Sequence, residues 1–179
     1  MRFERVSLKQ YLKDAEGDII QEGGYNPNPV GLKEDLVEAY ENLKLPKRAT
    51  KKSAGYDFFS PYSFNLRPGE TIRIATGIRV ILDDDKFLMC APRSGHGFKA
   101  RIQLDNTIGI IDADYADSDN EGHIILKLTN DSHTGKSIEV KAGEGIIQSI
   151  ILQYFTVEND DTKEVRNGGF GSTTKKEGK

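Results

Sequence analysis

Asn106-Thr107-Ile108-Gly109-Ile110-Ile111-Asp112-Ala113-Asp114-Tyr115 opens on a polar side chain, runs through isoleucines and a glycine, and closes on two carboxylates and a phenol. Isoleucine is β-branched and favours a pleated, packed environment, so the run reads as a buried strand. A carboxylate directly after such a run sits at the strand's mouth, partly dried by its neighbours, where it can serve as a general base. The same pattern also describes a plain buried strand ending in an Asp-rich turn. The rest of the chain decides between the two.

Working outward, short runs of Phe, Ile, Val, Leu and Tyr recur on both sides of this stretch. Strands are expected over 56–59, 71–75, 78–82, 87–91, 124–128 and 146–154. Turn residues separate them, at Pro68-Gly69, at Asp83-Asp84-Asp85, over 131–135 and at Ala142-Gly143. Many short strands at this spacing indicate an all-β sandwich or barrel. The N-terminal quarter differs. Residues 1–6 can form a short strand, and Ser7 reads as the N-cap of a helix carrying Leu8, Tyr11 and Leu12 on one face and ended by Gly17. A Gly- and Pro-rich loop over 23–29 follows. A second helix is expected over 32–43, with Leu32, Leu36, Val37, Tyr40 and Leu43 as an apolar stripe and Pro46 as its stop. The C-terminal end is polar and glycine-rich, and its composition predicts a mobile arm.

The chain has 179 residues, long enough for one domain with an appendage. Its net charge of −3 argues against a nucleic-acid binder that works by bulk attraction to phosphates. It leaves room for a local basic site for one phosphorylated ligand. No stretch approaches the ~18 apolar residues of a membrane span, and the first residues lack the apolar core of a leader peptide. A cytoplasmic protein without membrane or nucleic-acid partners is expected. The single cysteine, Cys90, excludes an intramolecular disulfide and a Cys-based metal site. Its place in an apolar run reads as core packing.

Three further stretches carry polar chemistry. Arg166-Asn167-Gly168-Gly169-Phe170-Gly171-Ser172-Thr173 combines glycines that let the backbone approach a ligand, hydroxyl donors, and an arginine able to grip phosphate. Phe170, alone among glycines, is free to stack on a planar base. The stretch lacks the ending of a Walker P-loop. In Pro92-Arg93-Ser94-Gly95-His96-Gly97, Arg93, Ser94 and Gly95 suit a phosphate clasp at a strand end. Without a glycine two residues earlier, Ser94 is not a nucleophile elbow, and His96 reads as a solvated loop histidine. Ala54-Gly55-Tyr56-Asp57 puts a carboxylate at a strand start, where it could orient metal-bound water or simply be a surface Asp.

These stretches, with Gly143-Glu144-Gly145-Ile146-Ile147-Gln148, resemble the five ordered motifs of the trimeric dUTP pyrophosphatases, and the resemblance spans residues 45–174. It implies a jelly-roll-like β-barrel over 45–158, an N-terminal extension over 1–44, a flexible C-terminal arm over 159–179, and a homotrimer with shared active sites. It implies hydrolysis of dUTP to dUMP and pyrophosphate, which keeps uracil out of DNA and supplies dUMP for thymidylate synthesis. Asp112 would activate the water that attacks the α-phosphorus. Tyr115 would lie under the deoxyribose. Asn106, Gly109, Ile110 and Ile111, with Ile125 facing them, would read uracil. Arg93, Ser94, Gly95 and Gln148 would hold the α- and β-phosphates. Arg166, Gly171, Ser172 and Thr173 would close on the γ-phosphate while Phe170 covers the base. Mg2+ would be held mainly by the triphosphate, with Asp57 acting through water.

The chain departs from the family pattern in four places. Six residues, 116–121, stand between Tyr115 and Gly122, where a tight turn is usual. Gly145 replaces a frequent arginine and His96 a usual apolar residue, and residues 1–44 exceed the ordinary N-terminus. That extension would pack on the barrel or on a neighbouring subunit. Two rival functions follow. A dCTP deaminase on the same fold would need a glutamate beside the base. A nucleotide-gated regulatory protein would use the extra segments as partner surfaces.

Overall fold

The computed structural model describes residues 1–16, 20–21 and 33–166. The chain begins with β1 (Arg2–Arg5), α1 (Leu8–Ala15), β2 (Ile20–Gln21), α2 (Lys33–Glu41), β3 (Lys47–Arg48), β4 (Tyr56–Phe59), β5 (Phe64–Leu66), β6 (Thr71–Ala75) and β7 (Ile78–Ile81). It continues through β8 (Lys86–Pro92), α3 (Ser94–Ala100), β9 (Ile102–Leu104), β10 (Gly109–Asp112), a 3-10 turn (Ala113–Asp117), β11 (Ile125–Asn130), β12 (Ile138–Val140) and β13 (Gly145–Gln153).

The described strands pair antiparallel into a five-stranded sheet ordered β10-β8-β13-β4-β3 and a four-stranded sheet ordered β2-β6-β11-β9. Two-stranded pairs, β1-β7 and β12-β5, complete them. Alternate residues of each strand point to one face, and the inward faces meet. Phe58, Leu88, Cys90 and Ile147 from the first sheet join one core with Ile72, Ile74, Leu104, Leu126 and Leu128 from the second. The fold is all-β and jelly-roll-like, as expected, with open sheets rather than a closed ring among the described residues.

The N-terminal extension builds a small second core on the barrel's own flank. Val6, Tyr11, Ala15 and Leu36 bury against Ala75 of β6, and Tyr40 Oη donates to the Val6 carbonyl at 2.7 Å. Ser7 caps α1 as expected, accepting from the Gln10 N–H. Leu43 lies over Gly77, where an added Cβ would stand 2.3 Å from Leu43 Cδ1. α2 is shorter than expected, ending at Glu41, although Leu36 and Leu43 are buried as its stripe requires. Gly17, Leu32 and the loop over 23–29 lie outside the described residues.

β10 corrects one reading. It was expected to be buried, but Ile110 is 48% exposed and Ile108 44%. β10 is the edge of the five-stranded sheet, so only its inward residues, Gly109 and Ile111, are covered.

Candidate active site

The chain leaves β9 through a tight corner in which Thr107 takes a left-handed φ of 67° and donates its N–H to the Leu104 carbonyl at 2.8 Å. This corner swings the backbone from the four-stranded sheet to the edge of the five-stranded one. A cavity of about 460 Å3 opens between β10 and β11, which belong to different sheets. Asn106, Gly109, Ile110 and Ile111 line one side, and Ile125, Leu126 and Lys127 the other. Gly109 sits opposite Cys90, and an added Cβ would stand 3.3 Å from Cys90 Cβ, so the glycine keeps the space between them open. Burial pushes the Cys90 thiol up to about 12. It stays protonated and acts as wall, not nucleophile.

Asp112, Tyr115 and Arg166 complete the lining. Asp112 ends β10 with its side chain half exposed. Arg166 spans two carboxylates: Nη2 donates to Asp112, and Nε donates to Asp114 Oδ1 at 2.8 Å. Its guanidinium carbon also lies 6.0 Å from the Tyr115 ring centre. Tyr115 is buried in the 3-10 turn. Its hydroxyl donates to the His123 carbonyl at 2.9 Å and accepts from Asn120 Nδ2 at 2.8 Å. Burial raises the phenol's pKa above its usual value, against a smaller opposing pull from Asn120.

A second polar group stands elsewhere on the sheet. Arg93 Nε lies 3.1 Å from Asp57 Oδ1, and Arg93 Nη1 donates to the Gly145 carbonyl at 3.1 Å. Gly145 is what admits this guanidinium, since a Cβ there would come within 2.6 Å of Nη1. Gln148 pairs in register with Asp57 on one side and Ala91 on the other. The neighbouring register row holds Tyr56, Ser149, Cys90 and Gly109. Adjacent rows point to opposite faces of a sheet. Asp57 and Gln148 therefore project to the opposite face from Cys90, the face that the same alternation gives Ile110 and Asp112.

The described structure thus brings Asn106, Gly109, Ile110, Ile111, Asp112, Tyr115, Ile125 and Arg166 to one cavity. Arg93, Gln148 and Asp57 form a separate group. Ser94 and Gly95, expected in a phosphate clasp at a strand end, follow β8 directly and begin the short helix α3, whose Gly97 N–H returns to the Arg93 carbonyl at 2.8 Å. An added Cβ at Gly95 would meet nothing within 4 Å, so its backbone is open to approach. His96 is not a solvated loop histidine. It sits on α3 with its ring largely covered and Nε2 4.0 Å from Glu144 Oε1. Phe170, Gly171, Ser172 and Thr173 lie outside the described residues.

Sequence reasoning missed Asp105 and Lys127, which line the cavity and pair at 3.0 Å. Asp105 follows the end of β9 and Lys127 is the polar residue between Leu126 and Leu128 of β11, and those polar types were the available signal. It also missed buried His123, whose partners are distant in sequence. Among the described residues no three His, Cys, Asp or Glu side chains gather in a metal cage. The carboxylate nearest Arg93 is Asp57. Such a donor set fits Mg2+, which keeps most of its waters and takes its other oxygens from substrate phosphates.

A family model described as dUTPase matches residues 41–174. The chain belongs to the dUTPase family. Both polar groups lie inside the matched stretch, and α1 lies outside it. The deoxyuridine 5'-triphosphate nucleotidohydrolase of Lactococcus lactis is 34% identical over 144 residues, 78% of this chain and 95% of that protein. Its counterpart from Nautilia profundicola is 35% identical over 80% of this chain and all of its own length, 100%. Among solved structures, the dUTPase from Streptococcus mutans aligns with a TM-score of 0.57 and 31% identity, covering 66% of this chain and 91% of that one. A mutant of Staphylococcus bacteriophage 80alpha dUTPase with dUpNHpp aligns with a TM-score of 0.57 and 25% identity, over 69% of this chain and 92% of that one. This dUTPase-family chain is an enzyme, and among its described residues no helix is long and apolar enough to cross a membrane.

Proposed function

We propose that this protein hydrolyses dUTP to dUMP and pyrophosphate, as an Mg2+-dependent homotrimer with shared sites. The observation that carries this reading is Asp112, beside Tyr115, on the lining of a cavity of about 460 Å3 in a chain of the dUTPase family. The cavity joins apolar side chains such as Leu104, Ile124 and Leu126 to the polar Asn106 and the backbone at Gly109, which leaves room for a flat pyrimidine. Asn106 and the β10 backbone read the uracil edge, with Ile125 facing them. Tyr115 offers its ring to the sugar, since its hydroxyl is engaged within the protein. A ring in that place rejects a 2'-hydroxyl by shape.

Asp112 takes a proton from water as the water oxygen bonds to the α-phosphorus. The bond from that phosphorus to the bridging oxygen breaks, and the electron pair leaves with pyrophosphate. Such chemistry needs positioning and charge neutralisation more than a covalent nucleophile. Arg166 supports this reading because its grip on two carboxylates can be exchanged for a grip on the γ-phosphate, which frees Asp112 to accept a proton. The arm residues Phe170, Gly171, Ser172 and Thr173 then close over base and phosphate. Arg93, Ser94, Gly95 and Gln148 hold the α- and β-phosphates. Mg2+, when bound by the triphosphate and through water by Asp57, neutralises phosphate charge. Asp57 and Gln148 stand outside the cavity lining of their own subunit, on β4 and β13, which supports completion of each site by a second subunit.

The test is kinetic. Asp112→Asn lowers turnover roughly 10²–10⁴-fold, while dUTP binding by calorimetry and the circular dichroism spectrum stay close to those of the unaltered protein. Near-normal turnover rejects the role of Asp112. The described cavity lining contains no glutamate, which weighs against deamination. Pyrophosphate release across dUTP, UTP, dTTP and dCTP, with an ammonia assay on dCTP, checks substrate and reaction together.

A further inference from the structure

α1 touches the nucleotide-site turn at both ends. At its start, the Ser7 N–H donates to Glu121 Oε2 at 2.7 Å and Ser7 Oγ to Glu121 Oε1 at 2.6 Å. At its far end, Asp14 Oδ2 lies 2.6 Å from His123 Nδ1 and also accepts from Gln10 Nε2 at 2.7 Å. The Gly77 N–H donates to His123 Nε2 at 2.7 Å, so Nε2 is the bare nitrogen and Nδ1 carries the proton toward Asp14. His123 is fully buried. Arg73 fixes the Asp14 backbone from β6, its Nη1 donating to the Asp14 carbonyl at 2.8 Å.

The segment held this way is the one that carries Tyr115. Its hydroxyl donates to the carbonyl of His123 itself. Gly122 closes the loop tightly, since a Cβ there would stand 2.6 Å from Ala116 Cα and 2.8 Å from the Tyr115 carbonyl. A displacement of His123 must therefore move Tyr115. A continuous path runs from Asp14 through the imidazole and its backbone carbonyl to a phenol whose ring lines the cavity. Residues 116–121, which lengthen this turn, supply Asn120 to the phenol and Glu121 to Ser7.

We propose that α1 is a positioning element of the nucleotide site, and that Asp14 and His123 are positioning residues for sugar discrimination. The Ser7–Glu121 and Asp14–His123 tethers set the height of the Tyr115 ring against the cavity wall. The lengthened turn and the N-terminal helix are thus two halves of one device, and α1 lies outside the stretch matched by the family model. The proposal rests on Tyr115 being the wall that faces the sugar.

The experiment measures kcat and KM for dUTP and UTP in the full-length protein and in Asp14→Ala, Asp14→Asn, Ser7→Ala and Tyr115→Ala, with thermal melts alongside. Asp14→Ala is expected to raise KM for dUTP and to narrow the dUTP-to-UTP preference roughly three- to tenfold, mainly through KM. Asp14→Asn, which keeps an acceptor for Nδ1–H, restores part of it. A lower melting temperature with unchanged KM and unchanged preference means α1 only stabilises the fold, and overturns the proposal. If Asp14→Ala does not fold, an unchanged preference in both Asp14→Asn and Ser7→Ala overturns it equally. Tyr115→Ala separates the two readings. If it leaves the preference intact, the sugar wall falls and this inference with it. If it abolishes the preference while the Asp14 and Ser7 variants keep theirs, this inference alone falls.

Discussion

His123 shows how one side chain fixes its own protonation state. Burial lowers its pKa below the ordinary 6.5, outweighing the upward pull of the Asp14 hydrogen bond and charge. Arg73 adds to the lowering and Glu121 opposes it, while the Tyr11 ring packs 6.3 Å away. The short approach to Asp14 is therefore a neutral imidazole donating to a carboxylate. A second proton on Nε2 would evict the Gly77 N–H. The unfolded chain binds that proton near pH 6.5 and the folded chain resists it. Stability is then full above about pH 6.5 and falls as the pH drops from there toward the depressed folded value, by at most ~1.4 kcal/mol per pH unit. His123→Gln keeps an acceptor for Gly77 and removes the titration. Urea midpoints measured from pH 5 to 7.5 should slope less in this variant than in the unaltered protein, and equal slopes would count against a neutral His123. Nothing around position 123 announces this, because Asp14 lies 109 residues away along the chain. Asp112 and Tyr115 were legible as candidates because the strand and its acidic, aromatic end are contiguous.

Among the elements, legibility followed length and periodicity. β4 and β6 run over the residues expected, and β13 differs from expectation by one residue at each end. β5, β9 and β12 were missed; at three residues each they are too short for a period of two to stand out. α3 was missed because Ser94-Gly95-His96-Gly97 is poor helix material, and it is closed by Arg101 in a left-handed conformation. Neither the exposed face of β10 nor the corner before it could be read locally, since both follow from sheet order. That corner stores strain. Thr107 is β-branched and left-handed, at φ 67°, a conformation that costs an L-residue roughly 1–2 kcal/mol. Asparagine tolerates it better. Thr107→Asn should therefore raise stability by about 0.5–1 kcal/mol, read as a higher denaturant midpoint with unchanged slope. A lower midpoint would mean that the threonine side chain makes a contact worth more than the strain.

For the whole molecule, the decisive fact is that the residues assigned to one substrate fall into two separate groups, one at the β10 edge of the five-stranded sheet and one around Arg93 and Asp57. Asp112 and Tyr115 line the cavity, while Gln148 and Asp57 stand on β13 and β4, across β8 from it, and Arg93 stays with Asp57. Sequence order lists these residues but not the strands that separate them, so the division became visible only with the order of the sheet. It makes the proposed trimer testable without imaging it. Arg93→Ala and Asp112→Asn subunits, each inactive as a homotrimer, should regain activity when co-assembled in equal amounts. If each site takes Asp112 from one subunit and Arg93 from another, roughly a quarter of the sites in random trimers contain both intact groups. Activity no greater than the sum of the parents would show that each site draws both residues from one chain. Outside the shared core, Phe155, Val157 and Val165 are all strongly exposed on the segment that leads to Arg166.

Cys90 gives the molecule a practical property. It is the chain's one cysteine, it is buried, and its thiol is held protonated with a pKa of about 12. Thiols in that state neither alkylate nor couple to maleimides at neutral pH. The native chain is therefore silent to thiol reagents, and Val165→Cys would give it a single reactive sulfur beside Arg166. A dye or spin label attached there would report the proposed exchange of Arg166 between carboxylates and phosphate as a signal read in real time.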